Sequence, residues 1–241
     1  MMDQQPWSSR CEWGPDAVSA LAPADVVIVV DVLSFTTCVD VAVSRGGAML
    51  PYAWNDPSAE EFARAHGAEL AGRRRVAHYS LSASSFLDVQ QGFRCVLPSP
   101  NGARVTLAAA GSGAVVFAAC LRNARAVAAA ASLAGASFNV VPSGERWADG
   151  SLRPCLEDWL GAGAVLVGLP GTRSPEAEAA VAVFERHRHD LASAIRQCSS
   201  GRELEERGQT NDLALAADLD ASACVPRFDG VAFVSALSRS L

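Results

Sequence analysis

The polar side chains of this sequence that could do chemistry stand where its apolar runs end. Asp31 interrupts the run from Val26 to Val32. A charge there is costly unless it is paired or bound to a cation. Asp31 is therefore a helix cap or ion-pair partner on one reading and a metal-binding or catalytic carboxylate on the other. Ser99-Pro100-Asn101-Gly102-Ala103-Arg104 follows a second run. It opens a helix whose free N–H groups and arginine suit an anion, or it is simply a capped turn. Arg122 and Asn123 follow a third run, and Ser143-Gly144-Glu145-Arg146 a fourth. In open α/β sheets ligands bind outside the carboxyl ends of the strands. The carboxylates of Asp31 and Glu145, the carboxamides of Asn101 and Asn123, and the guanidinium groups of Arg122 and Arg146 are thus expected to converge at one sheet edge.

Two further groups are weaker. Glu157 and Asp158 fall in the first turn of an expected helix, where the helix dipole favours acids. That reading suffices for Glu157 and leaves Asp158 undecided. Ser199-Ser200-Gly201-Arg202 precedes another helix. Small residues with an arginine fit a forked oxyanion clamp or an ordinary surface cap.

Missing motifs narrow the chemistry. All 20 basic residues are arginine, so a Schiff-base lysine and a Walker-type phosphate lysine are excluded. There is no G-x-S-x-G elbow and no H-E-x-x-H. No cysteine has an arginine six positions on, which rules out a phosphocysteine phosphatase, and Leu33 occupies the position two after Asp31 where an aspartyl-phosphate motif needs an acid. The first strand leads to Asp31-Val32-Leu33-Ser34 and not to G-x-G-x-x-G, so a dinucleotide site is disfavoured. A phosphatase built on these residues would use a metal-activated water.

The elements that must position these groups alternate between β-branched runs and alanine-rich periodic stretches. Strands are expected at 26–32, 48–53, 94–97, 114–119, 137–141, 225–228 and 231–234. Helices are expected at 35–45, 59–71, from the end of a turn at 98–102 to 110, and at 124–133, 156–167, 176–196, 203–207 and 211–219. The stretch 142–154 reads as a long charged loop. This alternation predicts a three-layer α/β/α sandwich around a mostly parallel or mixed central sheet. One domain over 1–241 is expected, with residues 1–20 peripheral.

Composition sets the outer bounds. The chain has 241 residues, is 50% hydrophobic and carries a net charge of -6. That argues against disorder and against nucleic acid as a partner. Seven cysteines without C-x-x-C spacing fit buried thiols in a reducing cytoplasm. No signal peptide or membrane-spanning run is read. A homodimer, the commonest closed assembly, is the default expectation.

In order along the chain stand Asp31-Val32-Leu33 with Thr36-Thr37, Pro100-Asn101-Gly102, Leu121-Arg122-Asn123-Ala124, Gly144-Glu145-Arg146, Leu156-Glu157-Asp158 with Gly161-Ala162-Gly163, and Ser200-Gly201-Arg202. This ordered set resembles the 2-phosphosulfolactate phosphatase family over about Asp25 to Phe233. The resemblance implies an α/β/α, magnesium-dependent hydrolase that splits 2-phosphosulfolactate into 3-sulfolactate and phosphate, a step towards coenzyme M. It implies a small polyanionic phosphoester as partner. Carried by motif position, Asp31 and Glu145 are expected as metal or water-activating carboxylates, with Asp158 as a third metal candidate. Asn101, as a catalytic residue, Gly102 and Asn123 are expected to contact phosphate or metal-bound water. Ser200, Gly201 and Arg202 are expected to hold an anionic end of the substrate. Two departures stand out: Ser34-Phe35 follows Asp31-Val32-Leu33 where the family has arginine, and Arg73 to Ser85 replaces a Gly-Glu-Arg-Gly-Gly-like stretch. Of Arg73 to Arg75, three consecutive side chains cannot all face one site. The competing reading is a degenerate member of the same fold that binds a small anion without catalysis.

Overall fold

The run Val26–Val30 folds as a strand because β-branched side chains suit an extended backbone covered on both faces, and all five residues are buried. The computed structural model describes residues 3–54 and 56–236; residues 1–2, 55 and 237–241 of the expected domain lie outside the described residues. In chain order the strands are β1 (Ser9–Cys11), β2 (Val26–Val30), β3 (Ala48–Tyr52), β4 (Glu69–Leu70), β5 (Arg94–Pro98), β6 (Val115–Ala119), β7 (Phe138–Pro142), β8 (Glu145–Arg146), β9 (Leu152–Arg153), β10 (Pro226–Phe228) and β11 (Phe233–Ser235). The α-helices are α1 (Ala17–Ala20), α2 (Phe35–Val43), α3 (Pro57–Ala65), α4 (Gly102–Ala110), α5 (Ala124–Ala134), α6 (Leu156–Val167), α7 (Pro175–His187), α8 (Leu191–Gln197), α9 (Ser199–Glu206) and α10 (Thr210–Ala217).

Nine strands form one mixed, mostly parallel sheet in the order β1-β7-β2-β6-β10-β11-β3-β5-β4. β1, β7, β2 and β6 are one parallel block, and β3, β5 and β4 a second. The antiparallel β10–β11 hairpin joins the blocks through antiparallel pairings on both sides. Alternation along β2 assigns its two faces. Val26, Ile28 and Val30 pack with α5, α6 and α7, whereas Val27 and Val29 pack with α2 and α4. Each such side chain contributes about 1.5–3 kcal/mol of burial. The α/β/α layering expected from the sequence is therefore present.

Three local expectations are corrected. Residues 1–20 are not merely peripheral, because Ser9–Cys11 pairs with β7 as the buried edge strand. Its signal was masked by Arg10, whose guanidinium is satisfied by the carbonyls of Trp7, Ala22 and Pro23. The expected helix 176–196 is two helices, since the Asp190 side chain caps a new start by accepting from the Ser193 amide. The long loop after β7 contains the small β8–β9 hairpin. All seven cysteines are buried free thiols. No helix among the described residues is long and apolar enough to cross a membrane.

Candidate active site

Asp31 follows β2 and is only 6% exposed. Its two oxygens accept different backbone donors, Oδ1 from Phe35 N–H at 3.1 Å and Oδ2 from Gly102 N–H at 2.9 Å. Those amides are the first of α2 and α4, so one carboxylate ties together two helix N-termini. The backbone around it is pinned by Thr36, whose Oγ1 accepts from Asp31 N–H and donates to Asp31 O. Burial is the largest influence on Asp31 and pushes its pKa up to about 7; the Phe35 and Gly102 amides oppose this, while Glu145 and Glu157 add to it. Gly102 permits the close approach. A Cβ there would lie 2.5 Å from Phe35 Cδ1 and 2.7 Å from Asp31 Oδ2.

Beside Asp31 opens a cleft of about 200 Å³. Ser34 and Asn101, the residues that precede α2 and α4, line it, as does Ser200 in the first turn of α9. Two helix N-termini thus meet at one cavity along a face of α9, and their dipoles favour anions. Glu145 also lines the cleft. Its Oε1 accepts from Asn101 Nδ2 at 2.8 Å and from Arg146 N–H at 2.9 Å. Leu33, Leu81 and Leu204 supply apolar wall.

Asp158, the third metal candidate, is held by backbone amides. It is 3% exposed and does not line the cleft. Its oxygens accept from Val32 N–H at 2.7 Å and Gly144 N–H at 2.8 Å. It is a clamp that joins the end of β2 to the loop carrying Glu145. Burial pushes its pKa well up, with Asp31 and Glu157 adding and the two amides opposing. Glu157 is buried in the first turn of α6, where the sequence placed it.

The cation that faces the cleft is Arg74, one of the three consecutive arginines. Its Nη2 donates to Ser34 Oγ and its Nη1 to Gln209 Oε1, both at 2.9 Å. Ser34 thus holds an arginine from elsewhere in the chain. Arg75 adopts a positive φ of 66° and turns to another cavity. Arg207 lines the cleft too, but it is paired with Glu203.

The remaining candidates separate. Asp31, Asn101, Glu145 and Ser200 are brought together, with Gly102 directly behind Asp31. Asn123 is not brought to the cleft: its Oδ1 accepts from Cys120 N–H at 2.8 Å and its Nδ2 donates to Ala118 O at 3.4 Å. Both ends of its carboxamide serve the local turn. Arg122 points away as well, to Asp40 at 2.9 Å. Gly201 is buried against the Ile195 carbonyl, and Arg202 is exposed outside the cleft.

The donor set can be tested against a divalent cation. No group of three or more His, Cys, Asp or Glu side chains among the described residues is placed to hold a metal. Magnesium does not require one, because it keeps several waters and uses one or two carboxylates with substrate phosphate. Asp31 and Glu145 fit that pattern, since both face one cleft and each keeps unused lone pairs. Asp158, which does not line the cleft, does not fit it.

The family model for 2-phosphosulpholactate phosphatase matches residues 14–230. The probable 2-phosphosulfolactate phosphatase of Gloeobacter violaceus (strain ATCC 29082 / PCC 7421) is 36% identical over 72 residues. That match spans 30% of this chain and 30% of the relative's length.

Proposed function

This chain belongs to the 2-phosphosulfolactate phosphatase family, and from that premise we propose that it hydrolyses a small anionic phosphoester, 2-phosphosulfolactate, to 3-sulfolactate and phosphate. One observation carries the reading: two helix N-termini, Arg74 and two carboxylates share one cleft. The Arg74 guanidinium, with the positive dipole ends of α2 and α4, attracts the phosphoryl oxygens and holds the ester against Asp31. Asn101 fixes the Glu145 carboxylate, and the Asp158 clamp fixes the loop that carries it. Leu33, Leu81 and Leu204 exclude bulk water from one side, which strengthens every charge interaction within. Water then attacks phosphorus opposite the leaving alkoxide, and the positioned donors meet the charge on the equatorial oxygens. Asp31 and Glu145 would hold a magnesium ion, which when bound supplies further positive charge against those oxygens.

The test is phosphate release from 2-phosphosulfolactate, 2-phospholactate and phosphoglycolate, with magnesium and with EDTA. EDTA-sensitive release that prefers 2-phosphosulfolactate is expected. Equal release from all three would keep the chemistry and remove the substrate assignment. No release from any, with 3-sulfolactate still bound, would identify an anion-binding protein without catalysis.

A further inference from the structure

A second hollow of about 420 Å³ lies across Glu145 from the cleft, and Glu145 and Glu203 border both cavities. Arg146 and Arg153, from the two strands of the β8–β9 hairpin, line it with Trp147 and Ser199. Neither arginine pairs with a carboxylate among the described residues. Arg146 Nη1 donates to Gly150 O at 2.7 Å, yet its buried Nε has no hydrogen-bond partner. A buried N–H on a charged group is rarely left so, and its cost is removed when an acceptor arrives. The Arg153 guanidinium lies over the Trp147 ring at 5.6 Å and donates through Nη2 to Ser200 Oγ at 3.2 Å. It is therefore held at the boundary between the two cavities. The acids nearby do not neutralise this pair: Glu203 is matched by Arg207, and Glu145 Oε1 is occupied by Asn101 and the Arg146 amide.

We infer that Arg146 and Arg153 form a second anion subsite, which binds one of the substrate's two non-reacting acid groups, that on the carbon next to the ester-bearing carbon, while its phosphoester lies in the cleft beside Asp31. This rests on the proposed phosphatase reading for the position of the ester. It replaces Arg202 as the residue for the anionic end. The chemistry recognised is a carboxylate or sulfonate carried on the carbon next to the ester-bearing carbon. Two unpaired guanidinium groups discriminate by the presence of that acid, so the hairpin sets substrate choice and leaves the phosphoryl chemistry to the cleft.

Three esters separate the contributions: 2-phosphosulfolactate carries a sulfonate at that carbon, 2-phosphomalate a carboxylate, and 2-phospholactate neither. Arg153→Met and Arg146→Met are each expected to raise KM for the first two by at least about tenfold, or 1.4 kcal/mol. KM for 2-phospholactate should rise by no more than about twofold, a difference near 0.4 kcal/mol. Preference for the sulfonate over the carboxylate, or the reverse, identifies which acid the subsite takes. Arg146→Lys and Arg153→Lys, with circular dichroism melts, control for loss of fold. An equal KM rise for all three esters, or no change, overturns the inference while leaving the phosphatase reading intact. Calorimetric titration with 3-sulfolactate covers the other case: if no ester is turned over, binding weakened by Arg153→Met supports the subsite, and binding unaffected by either variant overturns it.

Discussion

Replacing Asp158 with asparagine isolates the clamp from the chemistry. The carboxylate accepts Val32 N–H and Gly144 N–H on separate oxygens, at 2.7 and 2.8 Å. An asparagine has one acceptor oxygen, so its amide nitrogen must face one of those donors. A buried N–H left without a partner costs about 1–3 kcal/mol. Relief of a buried charge acts against this loss, because burial holds the Asp158 pKa well above the ordinary carboxylate value. The two effects separate by pH. With a raised folded pKa, the folded state binds the proton more tightly than the unfolded chain, so the Asp158 contribution falls as pH rises above the ordinary carboxylate range. Asparagine lacks that slope. The variant is expected to lose about 2 kcal/mol at mildly acidic pH, a Tm drop of about 4–8 °C for a chain of this size, with the gap narrowing towards alkaline pH. Thermal melts across pH check this. Magnesium affinity by calorimetry should stay within about threefold of wild type, or 0.65 kcal/mol. An unchanged Tm with lost magnesium binding would refute the clamp and make Asp158 a ligand.

Gly102→Ala forces a Cβ to within 2.5 Å of Phe35 Cδ1. Overpacking of this kind costs about 1–3 kcal/mol and displaces Asp31, so phosphate release should fall, whereas Gly111→Ala at the other end of α4, with nothing within 4 Å, should change neither melt nor rate. Asn101→Ala removes the 2.8 Å hydrogen bond that orients Glu145. Its rate should fall by about tenfold, or 1.4 kcal/mol in the barrier, with little change in Tm. Arg122→Met strands Asp40, which is fully buried and also accepts from Ser222. The loss in urea denaturation should be about 3–5 kcal/mol, and Arg122→Met with Asp40→Leu should recover most of it. Burial already raises the Asp40 pKa despite Ser222 and Arg122, so its contribution to stability falls as pH rises, and more steeply in the single variant.

The β2 strand and Asp31 were legible because a lone charge closing a buried apolar run demands an explanation. The same strand-end logic picks Asn101 and Glu145, which lie at the same cleft, although Asn101 follows β5 in the oppositely directed block and reaches Asp31 through the start of α4. The logic failed at Asn123 and Arg122, where a short turn and a buried aspartate consume the side chains that the strand end presents. Arg74 could not be chosen from three identical neighbours, since the backbone turn at Arg75 decides which one enters the cleft. Helical phase could have corrected the last group. Ser200, Glu203, Leu204 and Arg207 recur at i, i+3, i+4 and i+7 and line the cleft, while Arg202 falls off that face. Asp158 was ambiguous because one residue type serves equally as clamp and as ligand, and only the positions of the Val32 and Gly144 amides distinguish them.

The central claim is that the cleft beside Asp31 splits a phosphoester. Its most direct measurement is the initial rate of phosphate release from 2-phosphosulfolactate by the wild type and by Asp31→Asn, each with magnesium and with EDTA. The account predicts a magnesium-dependent wild-type rate and a loss of at least about a hundredfold in the variant, or 2.7 kcal/mol, with its circular dichroism spectrum unchanged. A folded Asp31→Asn protein that releases phosphate at the wild-type rate would contradict it.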